Sequence, residues 1–196
     1  MDINDKQRLW FCSDYGLENK CIIERLSENA EKYYIVTHDK ETKWGNINPF
    51  FQRKIMRESL KGSVIYGIGV KGTLPGANIS NLDIENDGKA ISVLEQVSRI
   101  VGKRMSLDEQ FIAAYAIDGI SGINETAKRL KIDEDGAEKI TENILIRNHQ
   151  AMGISLEQEA ELAEKINTSM QKTKSDYETT VAIDNLLNTE NELVRN

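Results

Sequence analysis

The chain has 196 residues, of which 39% are hydrophobic and 29% charged, which suits one ordinary globular domain or two small ones and argues against intrinsic disorder. No apolar run approaches the roughly 20 residues of a spanning helix, and the polar residues 1–8 carry no secretory pattern, so the expected setting has no membrane. The net charge of -7 is unevenly placed: residues 1–100 carry 14 Lys and Arg against 14 Asp and Glu, while residues 101–196 carry 11 against 18. With only Cys12 and Cys21 there is no disulfide framework, which points to a reducing compartment, the cytoplasm or a virion assembled there.

In chain order, residues 8–12 read as a short strand, 18–31 as a helix with Ile22, Ile23 and Leu26 on one face, and 33–37 as a second strand. Asn48 is placed to cap a helix whose first residue is Pro49, where the missing N–H would have had no partner anyway. On that helix Phe50, Phe51, Ile55 and Leu60 are expected to face the core and the cations to face solvent. A third strand is expected at 63–69. Three strands alternating with two helices predict a small βαβαβ layer with parallel strands and right-handed crossovers.

Residues 73–87, with Pro75, Gly76, Asn78, Asn81 and Asn86, hold no helical period and are expected to link two domains, 1–72 and 88–196. Beyond them everything reads as helix, so the fold class is α/β or α+β, with the strand layer followed by an all-α half. The stretch 90–101 places Ile91, Leu94, Val97 and Ile100 at steps of three and stops at Gly102. Ser106 and Glu109 fit a capping box for a helix over 107–117, and Ser155 to Gln158 repeats that start signal. Further helices are expected over 160–170 and 177–187. The second carries an apolar stripe of Val181, Ile183, Leu186 and Leu187, a candidate surface for docking another chain, or for folding back on its own bundle.

Among chemistry-bearing patterns, Gly67, Gly69 and Gly72 spell G-x-G-x-x-G after a strand, but Thr73, Leu74, Pro75 and Gly76 stand where a phosphate site needs a helix start. A turn-rich strand exit is the expectation. His38 and His149 lack companions at ligand spacing, so neither a metal nor a cofactor is expected. Cys12 in an apolar strand and Cys21 on a helix face read as small hydrophobes. The E-x-K run Glu41, Thr42, Lys43, with Asp14 after the first strand, resembles the active-site pattern of PD-(D/E)xK nucleases. That resemblance implies Asp14 and Glu41 as metal ligands and Lys43 as the cation that stabilises phosphate charge. A solvated turn is the competing account.

The local basic stretch consists of Lys43, Arg53, Lys54, Arg57, Lys61 and Lys71, opposed only by Glu58, with Trp44, Phe50, Phe51 and Tyr66 among the cations. Cations for phosphates and aromatic faces for bases suit a single-stranded nucleic acid. Residues 106–147 place Phe111, Ile112 and Tyr115, then Gly119 and Ile120, then Ile123, Thr126, Ala127 and Leu130, a turn at Lys131 to Asp133, then Ala137, Ile140 and Ile144. This spacing resembles the helix-turn-helix of sigma-like factors and of the small terminases of tailed phages. The resemblance implies a trihelical core whose third helix reads DNA. Its leading end, however, is Asp133, Glu134, Asp135, Gly136, Ala137, Glu138, which repels phosphates.

The leading expectation is therefore a non-enzymatic assembly or adaptor protein, a homo-oligomer or part of a larger protein assembly, of the kind found in phage virions or mobile elements. A nucleic-acid-associated regulator or packaging factor comes second, and a metal-dependent nuclease third.

Overall fold

The structure is a computed structural model that describes residues 7–84 and 90–155. The strand β1 (Arg8–Ser13) organises the sheet, because Leu9, Trp10, Phe11, Cys12 and Ser13 are all buried and fill both of its faces. A strand buried on both sides reads as a continuous apolar run and belongs at the centre of a parallel sheet. β1 pairs in parallel with β2 (Lys32–Thr37) on one side and with β4 (Val64–Ile68) on the other. Outside β4 lies β6 (Ile79–Leu82), also parallel, which gives the order β2-β1-β4-β6. Two-residue strands β3 (Thr42–Lys43) and β5 (Val70–Lys71) form a separate parallel pair.

Successive residues of β1 point to opposite faces, and each face has its own helix. Trp10 and Cys12 pack with Cys21, Ile22 and Leu26 of α1 (Leu17–Glu28), whereas Leu9 and Phe11 pack with Ile55 of α2 (Pro49–Leu60). The chain moves one place from β1 to β2 under α1, then two places in the opposite direction, from β2 to β4, under α2. Reversing direction and face together preserves the hand of the crossover. The strands and helices read from sequence are thus present as an α/β layer, with helices in the C-terminal half: α3 (Val93–Val101), α4 (Leu107–Asp118), α5 (Ile120–Leu130) and α6 (Glu134–Ala151).

Their ends obey local chemistry. Asn48 Oδ1 accepts from Phe50 N at 2.9 Å ahead of Pro49, and Ser92 caps α3, which ends at Gly102 with φ +72°. The Ser106/Glu109 capping box is complete, and Asp133 Oδ1 accepts from Gly136 N at the start of α6.

Within the stretch 73–87, expected to link two domains, Ile79–Leu82 forms β6. The described residues 7–84 and 90–153 belong to one compact unit. Ile79–Leu82, with Ser80 and Asn81 at its centre, has weak strand propensity, and its extended form comes from the ladder with β4. One apolar core runs from Trp10 and Ile22 through Leu94 and Val97 to Phe111, Ile112, Ile123 and Ile144. The helices expected over 160–170 and 177–187 lie outside the described residues.

Polar groups of α1 lock that core. The Arg25 guanidinium, 7% exposed, donates from Nε to Glu109 Oε1 at 2.8 Å and from Nη2 to Glu109 Oε2. It also donates to the carbonyls of Lys103 and Arg104, both at 3.2 Å. Glu18 Oε1 accepts from Leu94 N at 2.9 Å, so a carboxylate of α1 caps α3. Asn148 of α6 accepts from Leu17 N at 3.2 Å.

Burial would raise the Glu109 carboxyl, but the bonds from Arg25 and Ser106 outweigh it and hold it below its ordinary value of 4.5. A carboxyl depressed by folding adds stability that is complete above about pH 4.5 and is lost as pH falls through the folded value. Glu18 has the opposite sign. Burial raises its carboxyl despite bonds from Leu94, Ser92 and Val93, so its charge costs stability at neutral pH, and acid relieves that cost.

Arg25→Ala should lose about 3–5 kcal/mol by urea denaturation at neutral pH, because Glu109 is left partly buried without its cation. The difference between variant and parent should shrink as pH falls below about 4.5. A loss under about 1 kcal/mol would show that this pair does not hold the layers together. Gly67→Ala tests the other face. A β-carbon there would come within 2.3 Å of Trp44 Cζ2 and 2.6 Å of Asn81 Oδ1, so the expected loss is about 1–3 kcal/mol or more in the same assay.

Candidate functional site

In an open parallel sheet a ligand crevice opens at the carboxyl ends of neighbouring strands whose connections leave in opposite directions. Here those strands are β1 and β4, and several polar groups of the chain bond to one another near their carboxyl ends. Ser13 Oγ accepts from Tyr15 N at 3.1 Å and donates to Asp39 O at 3.3 Å. Asn19 Nδ2 donates to Tyr15 O at 3.1 Å and lies 2.8 Å from where a β-carbon on Gly69, φ +66°, would stand. The first amide of α1 is bound to Asn148. Gly67 is a glycine because Trp44 and Asn81 press on it, so the G-x-G spacing reflects packing and the strand exit, with no helix opening at Gly72.

The nuclease-like acids take different partners. Asp14 lies 2.8 Å from His38 Nδ1, and Glu41, 72% exposed, meets Lys71 Nζ at 3.3 Å. Lys43 is exposed on β3, opposite Lys71. Among the described residues no group of three or more His, Cys, Asp and Glu side chains is arranged to hold a metal ion. The thiols are equally remote from chemistry: burial pushes Cys12 up to about 12, and burial together with Glu24 pushes Cys21 up to about 11.

The basic aromatic stretch is rearranged relative to its sequence reading. Trp44 is fully buried, with Nε1 donating to Asn81 Oδ1 at 2.9 Å, so it offers no face to a base. Phe51 turns inward against Phe11 and Tyr34. Lys54 Nζ sits 4.8 Å from the centre of the Tyr34 ring, over its face. Arg57 and Lys61 both reach Glu58, at 3.4 and 3.0 Å, and these bonds, that from Lys61 foremost, hold its carboxyl below its ordinary value.

The larger correction concerns α2. At roughly 100° per residue Phe51, Ile55 and Glu58 share one face, and that is the face the sheet covers. Phe50 and Leu60, expected in the core, fall on the opposite side and are 59% and 85% exposed, with Met56 beside them at 40%. Arg53 and Arg57 lie between them, so the outer face of α2 is both apolar and cationic. Neighbouring loops 45–48 and 72–78 bring no charge.

The helices α4, α5 and α6 bury Phe111, Ile112, Ile123, Ala127 and Ile144 in the core they share with β1, α1 and α3. Asp133, Glu134, Asp135 and Glu138 at the start of α6 carry its acidic charge. A groove of about 930 Å³ runs between α3, α4 and α5, floored by Ala113, Ala114 and Gly122. Arg99, Lys103, Arg104 and Arg129 line it together with Glu95, Asp118 and Glu125, so its rim is mixed in sign. No local sequence pattern marks this groove, which depends on how three helices meet. The stripe of Val181, Ile183, Leu186 and Leu187 lies outside the described residues. Comparison of the chain with protein-family models, with curated proteins and with solved structures finds no match.

Neither thiol should react with Ellman's reagent within minutes at about pH 8 in the native protein, and both should react at once in denaturant. A fast native thiol would contradict the burial of Cys12 and Cys21 and reopen thiol chemistry.

Proposed function

We propose that the protein is a non-enzymatic adaptor that docks other protein chains, and that the outer face of α2 is its principal docking surface. The observation that carries this reading is the exposure of three large apolar side chains, Phe50, Met56 and Leu60, along the outer face of a single 12-residue helix. Large apolar side chains scattered singly are ordinary, whereas a cluster on one element marks an interaction site. Two further features support it: near the ends of the central strands Ser13, Asn19 and Asn148 are engaged in bonds within the chain, and Asp14 and Glu41 have different partners. In this proposal the protein works in a homo-oligomer or larger protein assembly within a reducing compartment, where the free Cys12 and Cys21 persist. Among the described residues no helix is long and apolar enough to cross a membrane.

A second reading, contact with nucleic acid, draws on Arg53, Lys54, Arg57 and Lys61, which face a single carboxylate, Glu58. It cannot use the buried Trp44 for stacking, and the half-exposed Phe50 ring already meets Phe51 edge to face.

Light scattering of the purified chain, alone and with mixed-sequence single- and double-stranded DNA, separates the two. The expected mass is that of the protein or its multimers, unchanged by DNA at about 150 mM salt. A DNA-dependent gain in mass that weakens steeply with added salt and vanishes in an Arg53→Glu, Arg57→Glu variant would replace the adaptor reading with the nucleic-acid one.

A further inference from the structure

We infer that the partner of the α2 face is an acidic amphipathic helix of another protein, an inference that rests on the proposed docking role of α2. The face joins two demands. Phe50, Met56 and Leu60 offer apolar surface, and an occupant must bring apolar side chains of its own to cover it. Around them stand Arg53, Arg57 and Lys61, with Lys54 at the edge over Tyr34, in a chain whose overall charge is -7. Glu58, the only carboxylate of α2, is turned under the helix and offsets no more than part of Arg57 and Lys61. The surface therefore lacks counter-charge that its partner must supply.

Other occupants fit less well. Two copies meeting α2 to α2 would place cations against cations, which a two-fold interface repeats on both sides. A nucleic acid satisfies the cations but leaves Met56 and Leu60, which have no ring to stack on a base, against a polar backbone. A helix bearing an apolar stripe flanked by Glu or Asp satisfies both sets at once. Its apolar residues pack between Phe50 and Leu60, and its carboxylates reach the guanidinium groups of Arg53 and Arg57, which are suited to bidentate pairing.

The test uses the full chain and fluorescence anisotropy with three labelled helical peptides. The first has a leucine stripe flanked by Glu, the second the same stripe flanked by Lys, and the third the Glu flanks with serine in place of leucine. The expected result is binding of the first peptide only, weakened at least about tenfold by Leu60→Glu and by Arg53→Glu, with the urea midpoint of both variants near that of the parent because both side chains are exposed. Arg53→Lys should recover part of the affinity lost in Arg53→Glu, which a purely structural effect would not do. Equal binding of the Lys-flanked or the serine peptide would overturn the acidic-helix partner while leaving α2 as a docking face. Binding of the first peptide that neither variant weakens would remove α2 itself, and with it the docking reading. Failure of all three peptides would overturn the inference outright. Tighter binding to single-stranded DNA, or to phosphatidylserine vesicles, through the same residues would overturn it in favour of nucleic acid or an anionic lipid surface respectively.

Discussion

The Arg25–Glu109 pair is the constraint on which the two halves of the fold depend. A guanidinium almost wholly withdrawn from water must have its donors satisfied, and Arg25 finds its partners at one place: the Glu109 carboxylate and the two carbonyls of Lys103 and Arg104. Glu109 in turn belongs to the capping box that starts α4. The angle at which α4 leaves α3 is therefore tied to a side chain on the first helix of the sheet layer. Glu18 and Leu17 extend the same logic to α3 and α6, so α1 serves as the internal strut between strands and helices. Much of the adhesion comes from burial of Trp10, Ile22, Phe111 and Ile123, while the polar bonds fix which arrangement of those apolar groups is adopted.

The two faces of the sheet have different consequences. On the α1 side the helices pack on one another, and several of their ends are satisfied by neighbouring elements. On the α2 side a single helix lies over Leu9, Phe11 and Ile65, and nothing among the described residues covers its back. One face of the sheet is thus covered by several helices and the other by α2 alone, and the proposed docking surface lies on the second.

Much of the layer was legible because it is written in local chemistry. The apolar run Leu9 to Cys12, the Asn48-Pro49 start, the Ser106/Glu109 box and the stop at Gly102 each state their element within a few residues, and all are found. The illegible parts depend on partners far along the chain. β6 is extended through its ladder to β4, and Trp44 is internal through the space left at Gly67. The apolar residues of α2 fall on two sides, Phe51 and Ile55 on one and Phe50 and Leu60, with Arg53 and Arg57 between them, on the other. Only the sheet decides which is covered, and that choice turned two expected core residues into the candidate docking surface. Arg25 and Glu109, separated by 84 positions, carry no local signal of their pairing.

That separation also sets a timetable for the protein's birth. At about 5–20 residues per second the ribosome makes Glu109 some 4–17 s after Arg25, and throughout that interval the sheet lacks the full set of helices that cover the Trp10 face. The nascent chain must carry an apolar surface and a cation awaiting its partner until α4 emerges, so this is the stage at which a chaperone has most to protect and at which truncated chains are most prone to aggregate.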